Sequence, residues 1–174
     1  MKLRLLQQKD AAGMLEWMHD EEVNKYFRFR AGDMSEKKAR EFITKSLLDA
    51  EERKNFHFAI TDDKDEYLGT ISLKGIDWEA KTAEYAISLR RAAQGKGIAF
   101  EATQNLLDYA FQKLELNRVY LNVLPENRRA IHLYEKCGFQ YEGIFRNHIS
   151  IRGKIVSLKW YGLLAEEYRR SQLI

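Results

Sequence analysis

The hexapeptide Gln94-Gly95-Lys96-Gly97-Ile98-Ala99 carries the sharpest chemical signal in the chain. It follows a strand-like alternation and opens a long segment with helical spacing of apolar residues. Two glycines let a backbone approach an anion closely, and successive amides at a helix start point toward it. Lys96, with Arg90 and Arg91 nearby, adds positive charge. Such a loop suits a phosphate or a pyrophosphate. A P-loop would need Ser or Thr after Gly-Lys, but Gly97 and Ile98 follow Lys96, so no hydroxyl is available for magnesium. A dinucleotide fingerprint would need a third glycine where Phe100 stands, too large for close helix–strand contact. By itself the hexapeptide fits a ligand loop and a plain turn equally well.

The remaining reactive side chains are scattered. His57, His132 and His148 form no set with metal-ligand spacing, so no metal is expected. Cys137 is the single cysteine; it rules out an intrachain disulfide and reads as a small helix filler, not a nucleophile.

The elements that must position the loop follow from periodicity. Residues 2–6 read as a first strand, and Asp10 can cap a helix carrying Met14, Leu15, Trp17 and Met18 on one side. A capping box over Asp33–Glu36 precedes a second helical face of Ala39, Phe42, Ile43, Leu47 and Ala50. Residues 56–60 and 68–73 read as strands joined by a polar turn at 62–65, and residues 83–89 as a third member of the meander. A helix is expected over 97–114, a strand over 118–124 ended by Pro125, and a short helix capped by Asn127 and closed at Gly138 by a left-handed residue. Two last strands, near 144–151 and 155–163, flank an Arg152-Gly153 turn. This order predicts a mixed α/β (α+β) sheet with helices on its faces, in a single domain spanning 1–174.

Composition narrows the class. With 174 residues, 45% apolar and 32% charged, the chain can bury roughly two-thirds of its unfolded surface. The net charge of +3 is mild, and Asp and Glu are interspersed with Lys and Arg, so no nucleic-acid partner is expected. No run approaches the ~20 apolar residues of a membrane span, and the N-terminus lacks a signal-peptide core. The expected location is the cytoplasm, with no membrane partner.

Beyond the loop, two stretches decide a resemblance. Gln94, Gly97 and Ala99 match the Q/R-x-x-G-x-G/A motif of the GCN5-related N-acetyltransferases (GNAT). Asn122-Val123-Leu124-Pro125-Glu126-Asn127 and Ala130 to Phe139 are similar to a second signature of the branch containing ribosomal-protein alanine and spermidine acetyltransferases. The resemblance covers almost the whole chain and is strongest from Ala83 to Gly143. One departure is Ala92-Ala93, where bulkier residues commonly precede the motif.

The resemblance implies a mostly antiparallel central sheet whose fourth and fifth strands splay apart, with acetyl-CoA as cosubstrate and an amine as acceptor. Ile87 and Leu89 would offer backbone groups to pantetheine, Gln94, Gly95, Lys96, Gly97, Ile98 and Ala99 would hold the pyrophosphate, and Asn127 would bind from the neighbouring helix, with Arg129 a weaker candidate. Leu89 would supply an amide to the oxyanion. Tyr134 matches the family's tyrosine, placed to protonate the departing thiolate, although it could also simply pack its helix. Glu84 occupies a position where some members carry a carboxylate base, and equally fits a solvated strand end. The acceptor would lie near Trp17, His19, Asp20, Glu21, Glu22, Tyr26 and Phe27; Arg28, Arg30, Arg146 and Arg152 would suit an anionic one. Amino sugars, polyamines and protein N-termini all stay open as acceptors, and a homodimer is compatible with the family. The rival reading is a non-catalytic acyl-CoA-binding module, which would keep residues 94–99 without needing Tyr134.

Overall fold

The computed structural model describes residues 1–172. The expected domain runs to residue 174, and its last two residues lie outside that range. Seven strands form one sheet in the order β1-β2-β3-β4-β5-β7-β6. They are β1 (Lys2–Leu5), β2 (Phe56–Thr61), β3 (Tyr67–Asp77), β4 (Thr82–Leu89), β5 (Arg118–Val123), β6 (Gln140–Ile151) and β7 (Lys154–Leu164). Every neighbouring pair is antiparallel except β4 and β5, which are parallel. The helices are α1 (Ala11–His19), α2 (Glu21–Asn24), α3 (Glu36–Glu51), α4 (Ile98–Asp108), α5 (Arg128–Lys136) and α6 (Ala165–Ser171).

Both faces of the sheet are covered, which is why Phe56–Thr61 is buried throughout instead of alternating. One core joins Ile71, Leu73, Tyr85 and Val119 to Leu106, Leu107 and Phe111 of the α4 segment and to Tyr134 and Phe139. The other joins Leu6, Met14, Trp17, Ile43, Ala59 and Tyr67 on the α1–α3 face. There Trp17 Nε1 donates to the Tyr67 hydroxyl at 2.8 Å, tying α1 to β3.

Several local expectations need correction. The cap of α3 is Ser35, whose hydroxyl accepts from Lys38 N–H at 3.2 Å; Asp33 belongs to a preceding turn. The Asp10 carboxylate leaves α1 uncapped because it is committed to Gln7 N–H at 2.8 Å and to both terminal nitrogens of Arg4, at 2.7 and 2.9 Å. The expected 97–114 helix is α-helical only to Asp108 and then widens into a π-helical turn, Tyr109–Lys113, that keeps Ala110 and Phe111 buried. Strand β6 starts at Gln140, four residues before the expected 144, and α2 and α6 were not foreseen. Gly138 does take a left-handed conformation (φ +95°), and Arg152 and Gly153 both have positive φ in the β6–β7 turn.

Candidate active site

The site begins where the sheet fails to close. Strands β4 and β5 pair only at Thr82 with Arg118, Ala83 with Val119 and Glu84 with Tyr120. Beyond Glu84, β4 continues to Leu89 paired with β3 alone, while β5 continues to Val123 paired with β7. Residues 85–89 therefore have one open edge. Arg90 N–H donates to Leu68 O across to β3, at 2.9 Å. Successive strand residues direct their backbone groups to opposite sides, so Ser88 also faces β3, whereas the N–H and C=O of Ile87 and Leu89 face the gap. Gln94 Nε2 reaches Leu89 O from that open side, at 3.2 Å. An extended ligand can pair with such an edge in place of the missing strand.

The glycine loop lies at the end of this gap. Gly95 and Gly97 have φ of +75° and +77°, a left-handed geometry that other residues adopt only with strain. No atom lies within 4 Å of a Cβ built on either glycine. Among the described residues, the N–H groups of residues 95–99 donate to nothing else in the chain. Five unpartnered amides thus stand at the start of an 11-residue helix, an arrangement that attracts an anion.

The basic neighbours are arranged differently from expectation. Arg90 turns away from the loop, pairing with Glu16 at 2.6 Å and Glu66 at 2.9 Å and donating to Tyr67 O at 2.9 Å. Arg91 is held by Asp20, with Nε 2.7 Å from its carboxylate. It still lines a polar cleft of about 430 Å³ together with Tyr26, Gln94, Asn127, Arg128 and Arg129. Arg129 donates to Gln94 Oε1 at 2.6 Å, so Gln94 bridges β4 and α5 across the cleft. Asn127 Oδ1 caps α5 through Ala130 N–H at 3.3 Å, and its amide NH₂ remains for a ligand.

Glu84 and Tyr134 lie on opposite faces of the sheet. Tyr134, on α5, packs edge-on against Tyr85 with ring centroids 5.7 Å apart, and against Phe139. Its hydroxyl has no hydrogen-bond partner among the described residues, and burial raises its pKa well above that of an ordinary phenol. Strand alternation sends Glu84 the other way, toward Lys74 Nζ at 3.2 Å. Asn122 Nδ2 points to Glu84 Oε1 at 3.5 Å, and Asn122 Oδ1 accepts from Arg28.

On the Glu84 face a second cavity, of about 380 Å³, opens between α1, α3 and strands β2 to β4. Met14, Trp17, Met18, Phe29, Met34 and Phe42 meet His57, Thr70, Ser72, Lys74 and the segment 86–88 of β4 there. His57 Nδ1 lies 2.7 Å from Ser72 Oγ, and burial pulls its pKa down to about 4. Cys137 is buried and its thiol is pushed up to about 11, which leaves no thiolate at neutral pH. Among the described residues no group of three His, Cys, Asp or Glu is placed to hold a metal.

Known proteins share this fold. The family model for the acetyltransferase (GNAT) domain matches residues 1–140. The chain belongs to the GNAT acetyltransferases. An uncharacterised N-acetyltransferase, p20, of Bacillus licheniformis is 35% identical over 170 residues, covering 97% of this chain and 94% of that protein. Spermidine N(1)-acetyltransferase of Vibrio cholerae is 34% identical over 128 residues, covering 74% and 72%. The crystal structure of spermidine N-acetyltransferase from Vibrio cholerae with CoA and spermine superposes with a TM-score of 0.87 at 28% identity, covering 97% of each chain. This GNAT protein is accordingly an acetyl-CoA-dependent enzyme that acetylates an amine.

Within this acetyltransferase the fold brings together most of the residues singled out above. Ile87 and Leu89 lie on the open edge of β4, Gln94 and Asn127 line the polar cleft, and Gly95 to Ala99 lead from Gln94 into α4. Four of the acceptor candidates have partners within the chain: Asp20 with Arg91, Glu22 with Lys25 at 2.8 Å, His19 with Met34 O at 2.7 Å, and Arg152 with Asn24 at 2.8 Å. Trp17 alone of that group lines the apolar cavity, and Tyr26 lines the polar one. Sequence reading passed over Lys74 and gave His57 and Asn122 no place at the site; all three meet it only through strand pairing, and their alternation on β3, β2 and β5 was the available signal. No helix among the described residues is long and apolar enough to cross a membrane.

Proposed function

We propose that acetyl transfer to the amine takes place at the gap between β4 and β5, with the loop amides as the anion cradle. The observation that carries this reading is the coincidence of the open β4 edge with five unpartnered N–H groups at the start of α4. The edge and the cradle together suit a molecule with an extended amide arm and a diphosphate, which is the chemistry of CoA. When bound, acetyl-CoA supplies an activated thioester.

The chain's own residues do the rest. Gln94 to Ala99 hold the diphosphate through backbone N–H, Ile87 and Leu89 pair with the pantetheine amides, and Asn127 adds its free NH₂ from α5. Leu89 N–H, aimed into the gap, is the donor for oxyanion charge. Tyr134, a phenol that carries its proton at neutral pH, gives that proton to the departing sulfur. Glu84, on the opposite face, takes the proton that the acceptor ammonium must lose. Acid and base on opposite faces keep proton donation and removal apart.

We read the chain as one N-acetyltransferase domain working in the cytoplasm. Exposed Tyr141, Ile144 and Phe145 on the edge strand β6 are where a homodimer would form. The assignment of Glu84 has a direct test. Glu84→Gln is expected to lower kcat about 100-fold at neutral pH. The deficit should shrink as pH rises toward the amine's own pKa near ~10, where the acceptor arrives neutral. A pH–rate profile of CoA release checks this; a loss of constant size across the range would make Glu84 structural.

A further inference from the structure

The apolar cavity beside Glu84 says what kind of amine this acetyltransferase takes. We infer that its acceptor is a primary amine carried on a single apolar, ring-sized body, and that a polyamine is a poor acceptor. The inference rests on the amine-acetylation reading above and adds to it the class of substrate.

The cavity touches β4 at residues 86–88, beside the open edge that would hold the thioester. Lys74 lines it and holds the Glu84 carboxylate at 3.2 Å, so the candidate base sits at its rim. An amine must reach that base, which makes this cavity, and not the polar cleft around Gln94, the acceptor's place. Its wall is built from Met14, Trp17, Met18, Phe29, Met34 and Phe42. Thioethers and aromatic rings in one wall accommodate a flat apolar body.

Charge gives the same answer. Lys74 is the one ionised side chain lining the cavity, and it is a cation. His57, the other titratable group there, is neutral because its burial pulls its pKa to about 4. No carboxylate lines the wall, and three acidic groups of the adjoining helices are paired elsewhere: Glu16 with Arg90, Asp20 with Arg91 and Glu22 with Lys25. A polyamine carries further ammonium groups beyond the one acetylated, and each would enter this wall unpaired and beside a lysine. A monoamine has one charge, which it presents to Glu84 and loses there. About 380 Å³ is room for one ring and a short chain.

The experiment compares phenethylamine with spermidine on the whole protein. Each is titrated calorimetrically into the CoA complex, and CoA release from acetyl-CoA is followed in parallel. The expected result is phenethylamine binding at least about tenfold more tightly than spermidine, with the same order in kcat/KM. Phe42→Ala should raise the KM for phenethylamine about tenfold without moving the CoA Kd. Phe29→Ala, at a half-exposed position where folding is not at risk, should act in the same direction more weakly. Spermidine binding as tightly as phenethylamine, or more so, overturns the inference while leaving amine acetylation in place. Phenethylamine binding that neither variant weakens also overturns it, since the ligand would then sit elsewhere. Tight binding of both amines without transfer to either would sink the acetylation reading, and the acceptor class with it.

Discussion

Tyr134→Phe should lower kcat about 100-fold while leaving acetyl-CoA affinity and fold stability close to those of the parent protein. The substitution is unusually clean at this position. The ring is fixed by Tyr85 and Phe139, contacts that phenylalanine preserves, and the hydroxyl it removes bonds to nothing among the described residues. A hydroxyl that makes no hydrogen bond within the protein contributes little to folding. Its value is chemical: a phenol carries its proton at neutral pH, and a thiolate leaving beside it collects that proton. Steady-state CoA release together with calorimetric titration of acetyl-CoA separates the two effects. A variant with unchanged kcat would reduce Tyr134 to a packing residue of α5. A variant with normal kcat but weak cofactor binding would move its role to the cleft.

Gly97→Val should weaken CoA binding about 100-fold, a loss close to 2.7 kcal/mol. No neighbouring atom obstructs a side chain there, so the effect does not come from overlap. It comes from the backbone: φ is +77°, and a β-branched residue in that region costs about 1–2 kcal/mol. Relief rotates the peptides on either side, which swings the N–H groups of residues 97–98 out of convergence. Because the loop packs little of the core, the melting temperature should change far less than the Kd. Unchanged affinity would show that these amides do not hold the ligand.

The contrast between these two positions explains what could be read from sequence. The loop was legible because its requirement is local: glycines with positive φ at a helix start declare themselves in six consecutive residues. Tyr134 and Asn127 were legible because they stand within a contiguous signature on α5. The main elements followed from apolar periodicity, and their boundaries missed by one to four residues wherever a side chain had a stronger competitor. Asp10 is the clearest case, since Arg4 claims the carboxylate that would otherwise cap α1. The π-helical turn at Tyr109–Lys113 preserves the burial pattern and so leaves no mark on periodicity.

The apolar cavity beside Glu84 was the least legible part. Its walls come from α1, α3, β2, β3 and β4, so no short spacing brings Met18, Phe42, His57 and Lys74 together. In the acidic run Asp20-Glu21-Glu22, the pairing of Asp20 could not be read locally, because its partner Arg91 is 71 residues away. Net charge along a helix end says nothing about which charges are already paired.

Central to the account is that main-chain N–H groups of residues 95–99 bind the diphosphate of CoA. The most direct measurement is a pair of calorimetric titrations of the unmodified protein, one with CoA and one with pantetheine, which has the same thiol arm and no diphosphate. The expected result is CoA binding at least about 100-fold more tightly, with Gly97→Val removing most of that difference. Equal affinities for the two ligands would contradict the account.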